Sequence, residues 1–467
     1  MWKHAFFYEE NELKINITKL TMEDRRNIIL NGNVIVTLFL LSIPTIMMAI
    51  VQAMIPFTDG LYLNHIIGPE RTGAITYSQP TINIMLGLSQ GLGVAAMAMI
   101  GQLVGKGDVK GVKKTALQVL IFGIFCGLVL IPISLFVASY MSTTVTKDMS
   151  NDVYMYLSLY SLVIPFQFMA AIFNSIKDGV GNPEASFYRM IVLLLLKIFF
   201  NFIFLELLKM DIKGAVFASL SAYIVVSFWM YYDLFLNKYI YKLNLCDYKF
   251  EKNIIFTLIK LGIPSMLSFM MINLGFLLIN MEISKYGAVV IAGLGIASNV
   301  NSLCFQLPSC IGTTVTTMVS LNIGVGNSKK AKKIYKIGLT IAIIIALTTL
   351  VIIIPLTSKI TKLFTLQQNV LNVANSALKI YTFSILPYGI FMVCQAIFNA
   401  LGKNVMPLVM SFLRIWLFRY VFILCTQRYL GYYAVFYGNL FSNFTAAIIF
   451  LIIITKIKWK SGINYGR

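Results

Sequence analysis

Long apolar runs recur along the whole chain and restrict its fold more than any other feature. About twelve stretches of mainly apolar residues follow one another, with only short polar segments between them. Each is long enough to cross a hydrocarbon layer roughly 30 Å thick as a helix. Charged residues make up 12% of the 467 residues, about half the share found in soluble domains. The sequence therefore predicts an all-α integral membrane protein.

The extent of each apolar run gives the predicted boundaries. The twelve predicted spans cover residues 34–66, 74–103, 114–141, 151–176, 185–208, 212–236, 254–284, 288–323, 335–357, 369–400, 404–426 and 430–455. The polar remainder consists of a lead at 1–33, a linker at 237–253 and a tail at 456–467. Within the lead, the letters TMED at 21–24 have the pattern of a capping box and predict the start of a helix.

The chain contains two similar halves. The segment GKGDVKGVKK at 105–114 recurs as GVGNSKKAKK at 324–333, LSIPTIMM at 41–48 recurs as LGIPSMLS at 261–268, and the pair IFNS and SFYR within 172–189 recurs as IFNA and SFLR within 397–414. A constant order and nearly constant spacing indicate an internal duplication. Six spans per copy start and end on the same side, which predicts parallel bundles at 34–236 and 254–455 with a substrate cavity between them.

The net charge of +20 raises the question of nucleic-acid binding, but its placement favours membrane topology. The predicted inner segments carry about three times as many lysines and arginines as the outer segments. The positive-inside rule therefore places both termini in the cytoplasm and the protein in the cytoplasmic (inner) membrane. Nucleic acid is not needed to explain the charge.

The sequence lacks the nucleotide-binding and metal-binding patterns that would indicate an enzyme. The two glycine- and lysine-rich loops do not match the spacing of a nucleotide-binding P-loop. With two histidines and six cysteines at no metal-binding spacing, we expect no metal centre, no disulfide framework and no cofactor. We expect a monomeric protein that is not an enzyme.

Asp59 is the acidic residue that lies well inside a predicted span. Insertion of a lone carboxylate into the membrane core costs at least about 2.5 kcal/mol on insertion scales. The default hypothesis is therefore that Asp59 has a functional role. Pro56 cannot donate to the carbonyl of Gln52, and we expect it to bend the first span there, with Pro44 as a second hinge. The alternative is that Asp59 is a structural residue whose carboxylate is satisfied by a neighbouring side chain.

Lys197 lies about midway along the fifth span and needs a counter-ion or a water-filled cavity. Asp59 is the best-placed acid in the same half, and Glu206 is the second choice. Other basic residues are predicted to behave differently: Arg189, Lys260 and Arg414 are expected to snorkel to the inner surface, whereas Lys379 and Arg419 are expected to mark the cavity of the second bundle.

Polar residues inside the apolar spans are candidates for lining a substrate cavity. They are Gln52, Asn174, Gln306, Gln395 and Asn399, together with Lys379 and Arg419. The open alternative is that these side chains only join neighbouring helices.

Several motifs together resemble a known family. They are FTDGLYLNHIIG in the first span, GLSQGLGVAAMAMIGQLVGKGD in the second and IFNSIKDGVGNPEASFY before the fifth. In their order and spacing over twelve spans, they resemble the multidrug and toxic compound extrusion (MATE) family, in its DinF-like bacterial branch. The resemblance implies an alternating-access antiporter that expels organic cations or other amphipathic compounds in exchange for Na⁺ or H⁺.

The resemblance also implies an ion-coupling site in the first bundle. The family site uses an aspartate of the first span, a pair of residues four apart in the fifth span and a threonine of the sixth. Carried onto this sequence, the aspartate is Asp59, the pair falls on Lys197 and Asn201, and Ser219 stands where the family has a threonine. The family pattern has Asn and Asp at these two positions of the fifth span, so this chain departs from it. A lysine there opposes Na⁺ binding at Asp59, and we hypothesise an ion pair between Lys197 and Asp59 that opens when Asp59 is protonated.

Two alternatives remain open. One is a flippase or exporter of a lipid-linked saccharide or of an anionic compound in the same superfamily, to which Lys197 would offer a positive charge. The other is a scaffold or receptor without transport activity, which has no need of Asp59 and Lys197 at membrane depth.

Overall fold

The computed structural model describes residues 21–63, 66, 69–143, 145, 147–236, 242–461 and 463, and nearly all of them are helical. The α-helices in chain order are α1 (Met22–Asn31), α2 (Val34–Tyr62), α3 (Pro69–Lys106), α4 (Val109–Thr143), α5 (Lys147–Tyr160), α6 (Ile164–Val180), α7 (Pro183–Asn201), α8 (Asp211–Tyr231), α9 (Lys252–Ser284), α10 (Ala288–Gly324), α11 (Ser328–Lys362), α12 (Gln368–Phe383), α13 (Ile385–Ala400), α14 (Val405–Phe412), α15 (Val421–Leu430) and α16 (Tyr433–Lys456). Short π-helical segments at Phe202–Leu207, Tyr232–Leu236 and Leu413–Tyr420 extend three spans.

The helices are long and apolar enough for a multi-pass membrane protein. In the described part of the chain, eleven helical stretches meet that test, and a twelfth span results if the pair α12 and α13, bent by 44°, counts as one. Their outer faces present large apolar side chains, such as Phe136, Phe228 and Val351, which are 76%, 73% and 70% exposed. Such faces are suited to hydrocarbon rather than water. The predicted all-α membrane fold of two six-span bundles is confirmed.

The first bundle comprises α2 to α8 and the second comprises α9 to α16. We call the end that carries the loops between α3 and α4 and between α10 and α11 the lysine-rich end. There α3 of the first bundle crosses α10 of the second. A Cβ atom on Gly105 would lie 2.0 Å from the Leu321 carbonyl oxygen, and one on Gly324 would lie 2.2 Å from the Gln102 carbonyl oxygen. Only glycine permits this backbone approach.

The glycine crossing is reciprocal, because Gly105 and Gly324 occupy equivalent positions in the two copies. Each glycine rests on the backbone one turn earlier in the opposite helix. A duplicated sequence thus packs against itself about an approximate two-fold axis. The two copies of the motif that the sequence showed as a repeat form one contact between the bundles.

Buried hydrogen bonds reinforce the contact at the same end. The Gln102 amide donates to the Ala400 carbonyl at 2.8 Å, and the Thr317 hydroxyl donates to the Asp178 carbonyl at 3.0 Å. Ser42 donates to the Thr314 hydroxyl at 3.1 Å. Because each of these bonds joins the two bundles away from water, separating the bundles here leaves several polar groups unsatisfied.

Helix α1 lies across the lysine-rich end and joins both bundles. It begins with the predicted capping box, in which Thr21 and Asp24 exchange hydrogen bonds with each other's backbone. Arg26 donates to the Gly105 carbonyl at 3.0 Å in the first bundle. From the second bundle, the Lys330 ammonium donates to the Leu30 and Gly32 carbonyls at the end of α1. The helix therefore adds a second layer to the seal.

At the opposite end of the spans, polar side chains of both bundles are exposed. Gln79 and Asn83 on α3, and Asn299 and Ser302 on α10, are exposed or half-exposed although they lie within spans. Polar side chains in a membrane protein face protein or a water-filled space rather than lipid. We infer from these exposed polar residues a water-filled cleft between the bundles, closed at the lysine-rich end and open at the other.

A bulky residue at the glycine crossing is expected to open the seal. Gly105→Val places new atoms inside the contact distance of the Leu321 carbonyl, an overpacking that costs about 1–3 kcal/mol. In a background in which the exposed Cys246 and Cys425 are serine, spin labels on Lys110 and Lys332 should report a longer and broader distance distribution between the bundles.

Gly295→Val is the matched control, since Gly295 lies on α10 and a Cβ atom added to it would meet no atom within 4 Å. It should leave the distance distribution unchanged. If Gly105→Val also leaves the distribution unchanged, the glycine crossing does not hold the seal.

Candidate functional site

The Asp59 carboxylate takes two hydrogen bonds from one face of a neighbouring helix. Asp59 lies on α2, and Lys197 and Asn201 lie four residues apart on α7, so their side chains share a face. The Lys197 ammonium donates to Asp59 Oδ2 in an ion pair, and Asn201 Nδ2 donates to Asp59 Oδ1 at 2.9 Å. The contact that the sequence led us to hypothesise between Lys197 and Asp59 is present.

The environment of this pair is mostly closed to solvent. The Lys197 side chain is 9% exposed and the Asp59 side chain is 25% exposed. An ammonium in so buried a position depends on its counter-ion, because removal of one partner leaves an uncompensated charge. The ammonium also occupies the position at the carboxylate where a bound cation would lie. Lys197 therefore supplies an internal cation whose attachment to the site depends on the negative charge of Asp59.

Two other predicted members of the site behave differently. Ser219 is buried on α8, but its hydroxyl donates to the Ala215 carbonyl of its own helix at 3.1 Å. Among the described residues it makes no hydrogen bond to Asp59. Glu206, the second choice of partner for Lys197, is exposed. The site thus consists of the carboxylate and its two donors.

The predicted hinges lie within a helix that continues through them. Helix α2 runs from Val34 to Tyr62 and includes positions 44 and 56. Near the second position, the Thr58 hydroxyl donates to the Ile55 carbonyl at 2.9 Å. The proposal that Pro44 and Pro56 bend this helix remains a prediction.

The residues predicted to line a cavity do not form a single site. Asn174 lies in the first bundle and accepts a hydrogen bond from Arg189 Nε at 2.8 Å. Gln52 and Lys379 are exposed on different bundles. Gln395, half-buried in the second bundle, contacts the Ser411 hydroxyl at 3.4 Å.

Three more of these residues lie in the second bundle. Gln306 is half-buried on α10, and the buried Asn399 Oδ1 has no hydrogen-bond partner among the described residues. Arg419 is 6% exposed, and its guanidinium lies over the Phe276 ring. The polar groups of the second bundle are thus less completely paired than those of the first.

The prediction that Arg189 and Arg414 snorkel to the membrane surface is wrong. They are 3% and 5% exposed, respectively. Arg189 is retained by its hydrogen bond to Asn174, and the Arg414 guanidinium lies 4.8 Å from the centre of the Phe391 ring. Interior partners therefore outweigh access to the surface. Lys260, by contrast, is exposed.

The sequence also led us to overlook acidic residues near the lysine-rich end. Asp178 lies on α6, is 7% exposed and accepts a hydrogen bond from Ser186 at 3.0 Å. Arg25 of α1 forms an ion pair with Glu184 at 3.0 Å, and the buried Lys177 pairs with Asp233. Asp178 and Glu184 both lie in the motif IFNSIKDGVGNPEASFY, which was the available signal.

Similarity to known proteins agrees with this architecture. The profile of the family described as MatE matches residues 44–203 and 264–424, one segment in each bundle. A probable multidrug resistance protein, YpnP of Bacillus subtilis strain 168, is 24% identical over 86% of this chain and 90% of its own length. The multidrug export protein MepA of Staphylococcus aureus strain MSSA476 is 21% identical over 73% of this chain and 76% of its own.

Solved structures show the same fold. A multidrug resistance MATE family transporter of the MOP superfamily in an outward-facing conformation superposes with a TM-score of 0.86 at 23% identity, over 92% of this chain and 97% of its own. A MATE crystal structure in complex with MaL6 gives a TM-score of 0.87 at 22% identity, with the same coverage.

Removal of the Lys197 charge should destabilise the protein far more than removal of a surface charge. Lys197→Met leaves the Asp59 carboxylate without its cation, which costs about 3–5 kcal/mol for a buried pair. The free energy of unfolding, measured by denaturant titration in detergent, should fall by that amount. The double variant Asp59→Asn with Lys197→Met should regain most of the loss.

Lys114→Met provides the control, because Lys114 and Glu251 form a pair whose side chains are 53% and 37% exposed. Its effect should stay within about 1 kcal/mol. Equal losses for Lys114→Met and Lys197→Met would contradict the importance of the internal pair.

Proposed function

Because the chain belongs to the MatE family, we propose that it is a secondary active exporter that moves small amphipathic molecules out of the cell by alternating access. Relatives named as multidrug resistance and export proteins support this substrate class. The fold supports the mechanism, since two bundles around a cleft can rock about the contact between them. The duplication supplies both bundles.

One observation carries the choice of coupling ion. Asp59 accepts hydrogen bonds from both Lys197 and Asn201, so that the carboxylate already has a cation. A Na⁺ ion would have to compete with a covalently attached ammonium for the same oxygens. We therefore propose H⁺ as the coupling ion, with Asp59 as the group that takes the proton.

The proposed coupling step follows from charge. Protonation of Asp59 removes the negative partner of Lys197 and leaves an ammonium in a mostly buried position, which is unfavourable by several kcal/mol. A bias of about 5.5 kcal/mol is enough to shift a two-state equilibrium from one extreme to the other. Movement of Lys197 toward water in the cleft relieves the cost and separates α2 from α7.

The direction of transport depends on the orientation in the membrane. The lysine-rich end is proposed to face the cytoplasm, in accordance with the positive-inside rule. The cleft then opens to the outside, and the described state is outward-facing. This conformation is the one in which an exporter releases its substrate and receives a proton from the external medium.

Changing either member of the pair should uncouple transport from the proton gradient. In proteoliposomes with an imposed pH gradient, Asp59→Asn and Lys197→Ala should each reduce efflux of a fluorescent substrate by about tenfold or more, which corresponds to about 1.4 kcal/mol. The assay should use a panel of fluorescent cations and anions, with Na⁺ and H⁺ gradients imposed separately.

Lys213→Ala removes a positive charge from an exposed position on α8 and should leave efflux unchanged. Efflux driven by a Na⁺ gradient alone would contradict proton coupling. If Lys197→Ala retains both transport and its dependence on the pH gradient, the ion pair is not the coupling element.

A further inference from the structure

The second bundle contains two buried arginines on one short segment. Arg414 and Arg419 lie in the π-helical segment Leu413–Tyr420 and are 5% and 6% exposed. In an α-helix, residues five apart point about 140° away from each other. A π-helix is closed by hydrogen bonds between residues five apart, so this winding brings the two arginines toward one face. Such segments are frequent at functional sites.

Among the described residues, the two guanidinium groups contact only neutral groups. Arg414 donates to Asn443 Oδ1 at 3.2 Å, and Arg419 lies 3.5 Å from the Tyr381 hydroxyl. The Nε atoms of both arginines are buried without a hydrogen-bond partner. No carboxylate forms an ion pair with either arginine in the part of the chain that the structure describes. Two buried positive charges therefore remain uncompensated, an arrangement that is costly without an anion.

The first bundle shows how the equivalent groups look when they are satisfied. Arg189 and Asn174 correspond to Arg414 and Asn399 in the repeat. Arg189 Nε donates to Asn174 Oδ1 at 2.8 Å, whereas Arg414 Nε and Asn399 Oδ1 both lack a partner within the described ranges. One duplicated hydrogen bond is thus formed in the first bundle and absent in the second.

The acidic residue near Arg189 has no acidic counterpart in the second copy of the repeat. Asp178 lies within electrostatic range of Arg189 in the first bundle. The position that corresponds to Asp178 in the repeat is Lys403. The second copy has therefore kept the arginine, exchanged the acid for a base and left arginine donors free.

We propose that Arg414 and Arg419 form a binding site in the second bundle for the anionic group of an amphipathic organic substrate. Guanidinium groups with free donors suit a carboxylate, sulfonate or phosphate group. The inference rests on the proposed export function and specifies its substrate class.

Aromatic rings beside the arginines suit the remainder of such a ligand. Arg419 lies over Phe276, which is 40% exposed, and Arg414 lies over the half-buried Tyr388. The Tyr388 ring stacks on Phe305 at a centroid distance of 4.2 Å. Flat apolar groups pack well against such faces. The site therefore favours an aromatic or apolar body that carries one negative group.

A pair of probes that differ in charge tests the site. Naphthalenesulfonate and naphthylmethyl-trimethylammonium share their ring and have opposite charges. Titrated by calorimetry into the full chain in phosphatidylcholine nanodiscs, with empty nanodiscs as the blank, the anion should bind at least about tenfold more tightly than the cation. Equal affinities, or a preference for the cation, would overturn the proposal.

Variants then assign the preference to the arginines. Arg414→Gln and Arg419→Gln should each weaken anion binding by about tenfold and leave cation binding unchanged. Arg414→Lys retains the charge without the fork of donors and should retain part of the preference, which keeps the test decisive if a glutamine variant does not fold. Arg428→Gln removes a charge from an exposed position on α15 and should have no effect. Unchanged anion binding in both glutamine variants would refute the assignment.

Two further arms separate related explanations. Displacement of the sulfonate by inorganic phosphate at similar concentrations would overturn the assignment to an organic substrate, whereas no displacement supports it. Binding is measured without any gradient, so it does not depend on proton coupling through Asp59. Anion binding without gradient-driven transport would therefore contradict the proposed function and leave the site intact.

Discussion

The hydrocarbon core of a membrane offers no water to a charged side chain, and this constraint determines where the polar groups of the protein lie. Each charge inside a span needs a partner from another helix or access to the cleft. In the first bundle, Lys197 has Asp59 and Lys177 has Asp233, and Glu184 of this bundle pairs with Arg25 of α1. In the second bundle, as far as the structure describes it, the buried arginines have only neutral neighbours. The two bundles therefore share a scaffold but have different electrostatic characters.

The duplication explains both the likeness and the difference. Backbone packing follows the repeat closely, since the two equivalent glycines make the same close approach from opposite sides. Polar side chains do not follow it, because Asp59 and Lys197 have no charged counterparts in the second half and Arg419 has none in the first. A common framework thus supports two separate tasks: proposed coupling to the proton gradient in one half and proposed recognition of substrate in the other.

The sequence was sufficient for the fold and for the central ion pair. Apolar length gave the spans, the repeat gave the two bundles, and Lys197 had one deep acid in its own half as a partner. The sequence did not predict the features that depend on local helix winding or on packing between the bundles. Arg414 and Arg419 were assigned to separate roles because Arg414 lies closer to the predicted inner end of its span, and the π-helical segment that contains both has no simple signature. Asp178 was missed because it lies at the edge of an apolar run and is covered by the second bundle.

The reciprocal glycine contact also bears on the rate of transport. The Gly105 and Gly324 contacts join the same two helices, so in the proposed transport cycle the sealed and unsealed states would differ by the fit of both at once. Neither half of the chain sets that free energy alone. In the proposed cycle, a small change in either copy of the motif is therefore expected to alter the time that the whole molecule spends in each state, so that turnover depends on two distant parts of the sequence.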